Sequence, residues 1–344
     1  MATINTAITL QDLPPPPPGK IGWPWTEQTQ PLPNQMSDGS EWPPISIVTP
    51  SYNQGKFIEE TIRSILLQGY PNLEYIIIDG GSTDNTIDII KKYARYITYW
   101  ISEPDRGQSH ALNKGFYKAT GQLIGWQNAD DYYQVGAFNK TAQILVDSES
   151  DDIFYGSIYM TDEEGKVIDI LYLDELQQEE MFPWFKLHNE AMFFRRKVLD
   201  EGHFINESFQ HYMDYEFFWQ LILADYKFKA VPGLFAFHRK HIHSKSSRQH
   251  YISAKELFEI YKIAFAYPNL SDNGRKKLRE CSKSLCLDNF LKLRLDLFRS
   301  SFYDLISMFG IKILDQKLMI KYFLSFLGKD ILRFIMTQKS RMLF

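Results

Sequence analysis

Four short apolar runs constrain this chain most, because each is too short for a helix and each stops at a polar loop. They are Ile45–Thr49, Tyr75–Ile78, Thr98–Ile101 and Leu123–Trp126. Runs of this length, rich in β-branched and aromatic residues, read as buried strands. Between them lie segments with helical spacing. One carries Ile58, Ile62, Ile65 and Leu66; the next carries Ile87, Ile89, Ile90 and Tyr93; a third covers Ala111–Ala119. Strands alternating with helices through short loops specify a mainly parallel, doubly wound sheet flanked by helices. In such sheets ligands bind beyond the carboxyl ends of the strands. Polar loops around Asn53, Asp79 and Asp130 fall at those ends.

The chain has 344 residues, enough for one large domain or two. Its 44% hydrophobic and 23% charged residues describe a folded protein. A net charge of −4 offers no global basic field, so no nucleic-acid partner is expected. The two cysteines, Cys281 and Cys286, form neither a disulfide framework nor a zinc pattern, which fits a reducing compartment. Met1–Gln11 lacks the basic start and apolar stretch of a secretory signal. No uncharged apolar run reaches spanning length. The expected location is cytoplasmic, with the inner face of a membrane as an alternative.

Three regions are expected. Residues 1–43 form an extension with a five-proline run at Pro14–Pro18 and with Trp23, Trp25 and Trp42. Its composition favours polyproline II over helix or sheet. The tryptophans imply that part of it docks on a surface; an SH3-type ligand role is the weaker alternative. Residues 44–249 hold the strand–helix pattern. Residues 250–344 read as helices rich in Phe, Leu, Ile and Lys. From Ile311 to Phe344 there are seven Lys or Arg against two Asp, mixed with apolar residues. That mixture suits either peripheral membrane contact or packing on the core or a second copy.

The fourth strand runs into Gln127-Asn128-Ala129-Asp130-Asp131. Carboxylates at a buried strand end are costly unless a cation uses them. Mg²⁺ or Mn²⁺ holding a diphosphate is one such user; a solvated turn is the other reading.

These pieces resemble glycosyltransferase family 2, the inverting nucleotide-sugar transferases of the Rossmann-like GT-A fold. The likeness runs through Ser46–Asn53, Ile76–Asp84, Ser102–Gly107, Ala111–Gly115, Asn128–Asp131 and Asp214–Trp219, about residues 45 to 247. It implies a nucleoside-diphosphate sugar donor, a glycan or lipid-linked acceptor, and Mn²⁺ or Mg²⁺. It implies that Thr49, Pro50, Tyr52 and Asp79 meet the nucleoside, with Tyr52 stacking on the base. The residue after Asp79, often a second Asp, is Gly80 here, which leaves uracil, guanine and thymine open. Asp84 reads either as part of that loop's function or as a helix cap. Asp105, Arg106 and Asn113 match the block that approaches the sugar and diphosphate, Arg106 as a phosphate partner or a surface cation. Asn128 replaces the first carboxylate of an Asp-x-Asp motif. Asp130 then matches the direct metal ligand, with Asp131 at the metal site as a nearby support or else a helix cap, and His241 meeting metal or diphosphate. Asp214 matches the general base, or else caps its helix, and Glu216 could orient a neighbour. His188, Asn189 and Glu190 match the acceptor side, with Trp184, Phe185 and Trp219 as candidate sugar-stacking rings. His238, His241 and His243 also suggest zinc, but no cysteine or carboxylate cluster accompanies them in sequence.

Two other readings compete. A catalytically weak or inactive nucleotide-sugar-binding or assembly protein would account for Gly80 and Asn128. A dinucleotide oxidoreductase would need a Gly-x-Gly-x-x-Gly turn after the first strand, which is missing.

Overall fold

A computed structural model describes residues 6–148, 150–175, 187–242, 244–245, 250–327 and 329–333. Trp184, Phe185, His243 and residues 334–344 lie outside the described residues. The chain forms two compact units, one of Met1–Leu176 with Lys186–Arg248 and one of Gln177–Phe185 with Gln249–Phe344.

In the first unit the four sequence-predicted strands are present as β1 (Ile45–Ser51), β2 (Leu73–Asp79), β3 (Tyr99–Ser102) and β4 (Leu123–Trp126). They pair in parallel in the order β3-β2-β1-β4. Every residue of β1, β2 and β4 is buried, which is why each reads as a continuous apolar run and not as an alternation. Helices α1 (Ile58–Leu66), α2 (Thr86–Tyr93) and α3 (Gln108–Phe116) make the crossovers. Gly115 lets α3 press on β1, since a Cβ there would lie 2.3 Å from Val48 Cγ1. The chain winds one way from β1 through β3 and then returns to the other side of β1 as β4. The loops after β1 and β4 therefore face each other at the point where the strand order reverses.

The far half of the sheet is mixed, and the sequence pattern does not announce it. Among the described residues β5 (Tyr132–Tyr133), β6 (Ile153–Thr161), β7 (Val167–Leu171), β8 (Met192–Arg195) and β9 (Phe228–Arg239) complete nine strands in one sheet. β8 joins β4 antiparallel, β6 joins β8 antiparallel, and the long β9 runs parallel to β6. Helices α4 (Ala137–Asp147), α5 (Lys197–Asp200) and α6 (Met213–Leu223) are also in this unit. α6 buries Phe217, Phe218, Trp219 and Leu221.

The second unit contains α7 (His250–Phe265), α8 (Asp272–Leu291), α9 (Leu295–Phe309) and α10 (Gln316–Leu324). The Ser271 hydroxyl caps α8 by accepting from Gly274 N, and Asp315 caps α10 by accepting from Leu318 N. Stacked Phe302 and Tyr322 rings, 4.1 Å apart, pack α9 against α10. No helix among the described residues is long and apolar enough to cross a membrane.

The Pro/Trp-rich segment packs on the first unit as an irregular strap. Ile8, Leu13 and Trp25 are buried. Thr29 N donates to Leu67 O and Leu32 N to Gly69 O, so the strap follows the chain leaving α1. Gly69, at φ +66°, leaves room for it, since a Cβ there would meet Gln30 O at 2.9 Å. The anchor is Arg63 of α1, whose side chain is fully buried. It donates to the Pro14, Pro24 and Trp25 carbonyls at 2.9, 3.0 and 2.9 Å and to the Tyr93 hydroxyl at 3.1 Å. A proline segment has few N–H groups but keeps every carbonyl, so a guanidinium with five donors is a suitable partner for it. Arg63→Ala would orphan three carbonyl acceptors, those of buried Pro24 and Trp25 and of half-buried Pro14. The expected loss of unfolding free energy is about 3 kcal/mol or more, measured by urea denaturation.

Candidate active site

The site is built on the loop after β4. Thr61 of α1 holds this loop from behind, its hydroxyl 2.6 Å from Asp131 O and 3.1 Å from Ala129 O. The Asp131 carboxylate is buried, and both oxygens are engaged. Oδ1 accepts from Arg239 N at 2.8 Å, and Oδ2 accepts from Asn128 Nδ2 at 3.1 Å. Asn128 Oδ1 in turn accepts from Gln108 Nε2 at 2.8 Å. Asp131 thus clamps the end of β4 to the end of β9. That clamp delivers His241 to Asp130, with Nε2 at 3.0 Å from Oδ2. The His241 ring is buried against Phe57. Arg239, also buried, pairs with Glu60 at 2.9 Å and lies over the Phe57 and Tyr132 rings.

A second cluster adjoins the first. Glu190, buried in a 3-10 turn at Asn189–Ala191 just before β8, forms an ion pair with His238 of β9. His238 Nδ1 also lies 3.8 Å from Asp131 Oδ1, and His188 Nδ1 lies 3.8 Å from Glu190 Oε2. Burial opposes charge on His238, but the Glu190 and Asp131 carboxylates override it and push the imidazole up to about 10. Burial likewise opposes charge on Glu190, and the His238 charge and hydrogen bond prevail, holding its carboxyl at about 2. Burial, with the Asp130 and Glu190 charges, raises Asp131 against the pull of His238. Burial lowers His188, which is therefore neutral at pH 7.

Asp214 stands in the first turn of α6, half-buried, with Oδ1 accepting from Tyr215 N at 2.9 Å. Burial is the main cause that lifts its carboxyl to about 7, and the Glu190 charge adds to the lift. Lys245 pulls the other way from a position 3.3 Å from Gln108 Oε1. Glu216 accepts from Gln220 and Asn206.

The donor-side candidates divide into lining and framework. Tyr52 is exposed on the loop after β1, next to Pro50 at the end of the strand. Thr49 is buried, its hydroxyl 3.2 Å from Tyr75 OH. Asp79 is buried and saturated: it accepts from Gly81 N, Ser82 N and the Ser102 hydroxyl at 3.0, 2.8 and 2.7 Å. Asn53 and Asp84 staple the loops after β1 and β2 together through Thr83 N and Gly55 N. Asp84 also accepts from Thr86 N, the first residue of α2, from one position before the Asn85 N-cap. Asp105 fills the space beside Gly80, where a Cβ would meet Asp105 Oδ2 at 2.6 Å. Arg106 is exposed and paired with Glu207 at 2.6 Å.

Two expectations need correction. Asn113 does not face a ligand: its amide bridges Ile205 N and O at 3.0 and 2.8 Å, tying α3 to the segment before α6. Trp219 cannot stack on a sugar, because α6 is apolar on nearly all sides and leaves the indole 1% exposed. Sequence reading also passed over Thr61, Gln108 and Lys245, which carry no motif of their own. The Glu190–His238 pair was hidden by a separation of 48 residues.

Residues 46–203 match the family described as Glycosyl transferase family 2. A Bacillus subtilis (strain 168) protein, provisionally named a teichuronic acid biosynthesis glycosyltransferase, is 31% identical over 38% of this chain and 53% of its own length. An uncharacterized glycosyltransferase of Rickettsia felis is 27% identical over 52% of this chain and 31% of its own. The chain therefore spans about half or less of these relatives. Among solved structures, S. aureus TarS 1-349 in complex with UDP-GlcNAc superposes with TM-score 0.61 and 18% identity, covering 78% of this chain and 82% of that one. Mannosyltransferase PcManGT from Pyrobaculum calidifontis, in complex with GDP-Man and Mn²⁺, gives TM-score 0.51 and 16% identity, covering 82% and 84%. At these identities the structural likeness shows the fold, a GT-A sheet flanked by helices.

The Glu190–His238 pair sets a pH signature. His238 rises from an ordinary 6.5 to about 10 in the folded chain. Its contribution to stability is complete below about pH 6.5 and is lost as pH rises through about 10. Chelated protein should lose unfolding free energy between pH 7 and 10, and Glu190→Gln should flatten that slope. Urea titrations across the range measure the difference.

Proposed function

We propose that this chain, whose residues 46–203 match glycosyl transferase family 2, moves a sugar from a nucleoside-diphosphate sugar to an acceptor hydroxyl with inversion at the anomeric carbon. The observation that carries the reading is the Asp130–His241 contact at the carboxyl end of β4, where the strand order reverses. The complexes of the fold neighbours with UDP-GlcNAc and with GDP-Man and Mn²⁺ support the same donor class.

The residues present fit a divalent cation at Asp130. One carboxylate oxygen and one imidazole nitrogen converge there, and both Asp131 oxygens are occupied by protein donors, so Asp131 supports the position from behind. An imidazole in the set favours Mn²⁺ over the harder Mg²⁺. When bound, the ion supplies positive charge to the departing diphosphate. On the donor side, Tyr52 offers an exposed ring for the base. Asp105 places a carboxylate where residue 80 has no side chain.

Asp214 is the base in this reading. A carboxylate lifted to about 7 is half ionised near neutrality and retains enough basicity to take a proton. As the acceptor oxygen attacks, its proton passes to Asp214, the bond from the anomeric carbon to the diphosphate oxygen breaks, and a single displacement inverts the centre. The buried Glu190 charge contributes to that tuning.

A binding or assembly role without turnover is the second reading. It is favoured by Asn128, whose amide is spent on Gln108 and Asp131 and stands where a second carboxylate would. Nucleoside diphosphate release, measured over UDP-, GDP- and dTDP-sugars with Mn²⁺ or Mg²⁺ and with lipid-linked and glycan acceptors, separates the two. Release should occur with one donor and cease on chelation or in Asp130→Ala. Asp214→Asn should lower kcat about 10²–10⁴-fold, and wild-type kcat should rise with pH through about 7 as Asp214 deprotonates. Nucleotide binding by calorimetry without release under any condition would sink the transferase reading.

We assign the transferase core to residues 44–249 and a membrane-facing role to the helical region. Ile320, Phe323, Phe326, Leu327 and Ile331 are exposed there, and Lys317, Lys321, Lys329 and Arg333 lie among them in sequence. Sedimentation with vesicles containing anionic lipid should capture the protein. Capture should weaken severalfold in Phe323→Ser/Phe326→Ser and at high salt. Equal recovery with neutral vesicles would argue against the basic residues.

A further inference from the structure

We propose that His188, Glu190 and His238 form a second metal site, of the zinc class and separate from the cation position at Asp130. The three residues each bring one ligand atom to within 4.8 Å of the others. Two imidazoles and one carboxylate are the donor set of open zinc sites, in which a fourth position is left for water or another oxygen ligand. Three features point to a cation here.

First, Glu190 is 1% exposed, yet its Oε2 has no hydrogen-bond partner among the described residues. That atom faces His188 Nδ1 across 3.8 Å, too far for a hydrogen bond. An unmatched buried carboxylate oxygen is costly, and a metal ion satisfies it. Second, the spacing is close to what a metal needs. Zinc–ligand bonds of about 2.0–2.2 Å place tetrahedral ligands about 3.3 Å apart, so the His188–Glu190 gap calls for a small inward shift and the direct Glu190–His238 contact must open to admit the ion. Third, the Asp131 carboxylate lies 3.8 Å from His238 and adds negative charge outside the cluster. The rings are reachable, since the His188 and His238 side chains are 23% and 27% exposed.

The site is distinct in chemistry from its neighbour. Asp130 with His241 offers one carboxylate and one imidazole beside a place for a diphosphate. The second cluster offers two imidazoles and needs no nucleotide. The competing occupant is a proton on His238, which the ion pair with Glu190 accommodates.

The test uses Co²⁺ alone as the probe, added to full-length, chelator-treated protein. It is done in an Asp130→Ala background, which removes the first position. One equivalent should bind and give the intense visible bands of tetrahedral Co²⁺, and Zn²⁺ should displace it. Adding His188→Ala or Glu190→Gln should weaken binding by more than about 100-fold, a ligand being worth at least what an outer-shell partner is. Circular dichroism and urea unfolding establish that each variant is folded; if Glu190→Gln is not, His188→Ala decides alone. Absence of tetrahedral bands in the Asp130→Ala protein would overturn the proposal, as would undiminished binding without His188. No sugar donor enters the experiment, so its outcome is independent of the transferase reading.

Discussion

The buried carboxylate of Asp131 is the constraint on which the rest of the site depends. A charge in that position is costly unless surrounding groups compensate it, and here the compensation comes from several directions. Arg239 N and Asn128 Nδ2 bond its oxygens, and His238 stands 3.8 Å away. Arg239 and His238 are neighbours at the end of β9, Asn128 follows β4, and Thr61 lies on α1. Satisfying one carboxylate therefore draws together the end of β4 and the end of β9, while Thr61 of α1 holds the same residue by its main-chain carbonyl. Asp130 meets His241, and Glu190 meets His238, as consequences of that closure.

The strap extends the same logic outward. Thr61 steadies the acidic loop, and Arg63, two residues along α1, is buried under the carbonyls of Pro14, Pro24 and Trp25. The Trp23 indole donates to Tyr133 O, directly behind the acidic pair. An irregular proline segment is thereby part of the framework that positions the loop. Two residues of one helix carry constraint from the strap to the chemistry.

How much of this the sequence disclosed follows from what sequence periodicity can encode. The parallel strands were legible because fully buried strands must be continuous apolar runs, as Tyr75–Ile78 and Leu123–Trp126 are. Their polar ends were legible because carboxylates there need a reason. The mixed half of the sheet was not, since β8 and β9 are set by pairing partners far away in the chain. Arg63 sits between Ile62 and Ile65 and gives no sign that it is buried. Trp219 looked like a platform because tryptophan often is one; its fate depends on α6 being enclosed. Asn113 matched a motif position and turned out to brace Ile205. The histidines near 240 have no carboxylate beside them in sequence; the fold brings Glu190 to His238 and Asp130 to His241 from other segments.

Anomalous diffraction at the manganese edge, from crystals grown with the nucleoside diphosphate that binds and Mn²⁺, tests the account most directly. It expects a peak coordinated by Asp130 and His241, with the Asp131 oxygens still bonded to Arg239 N and Asn128. Manganese coordinated by Asp131, or bound without His241, would contradict the clamp as the origin of the site.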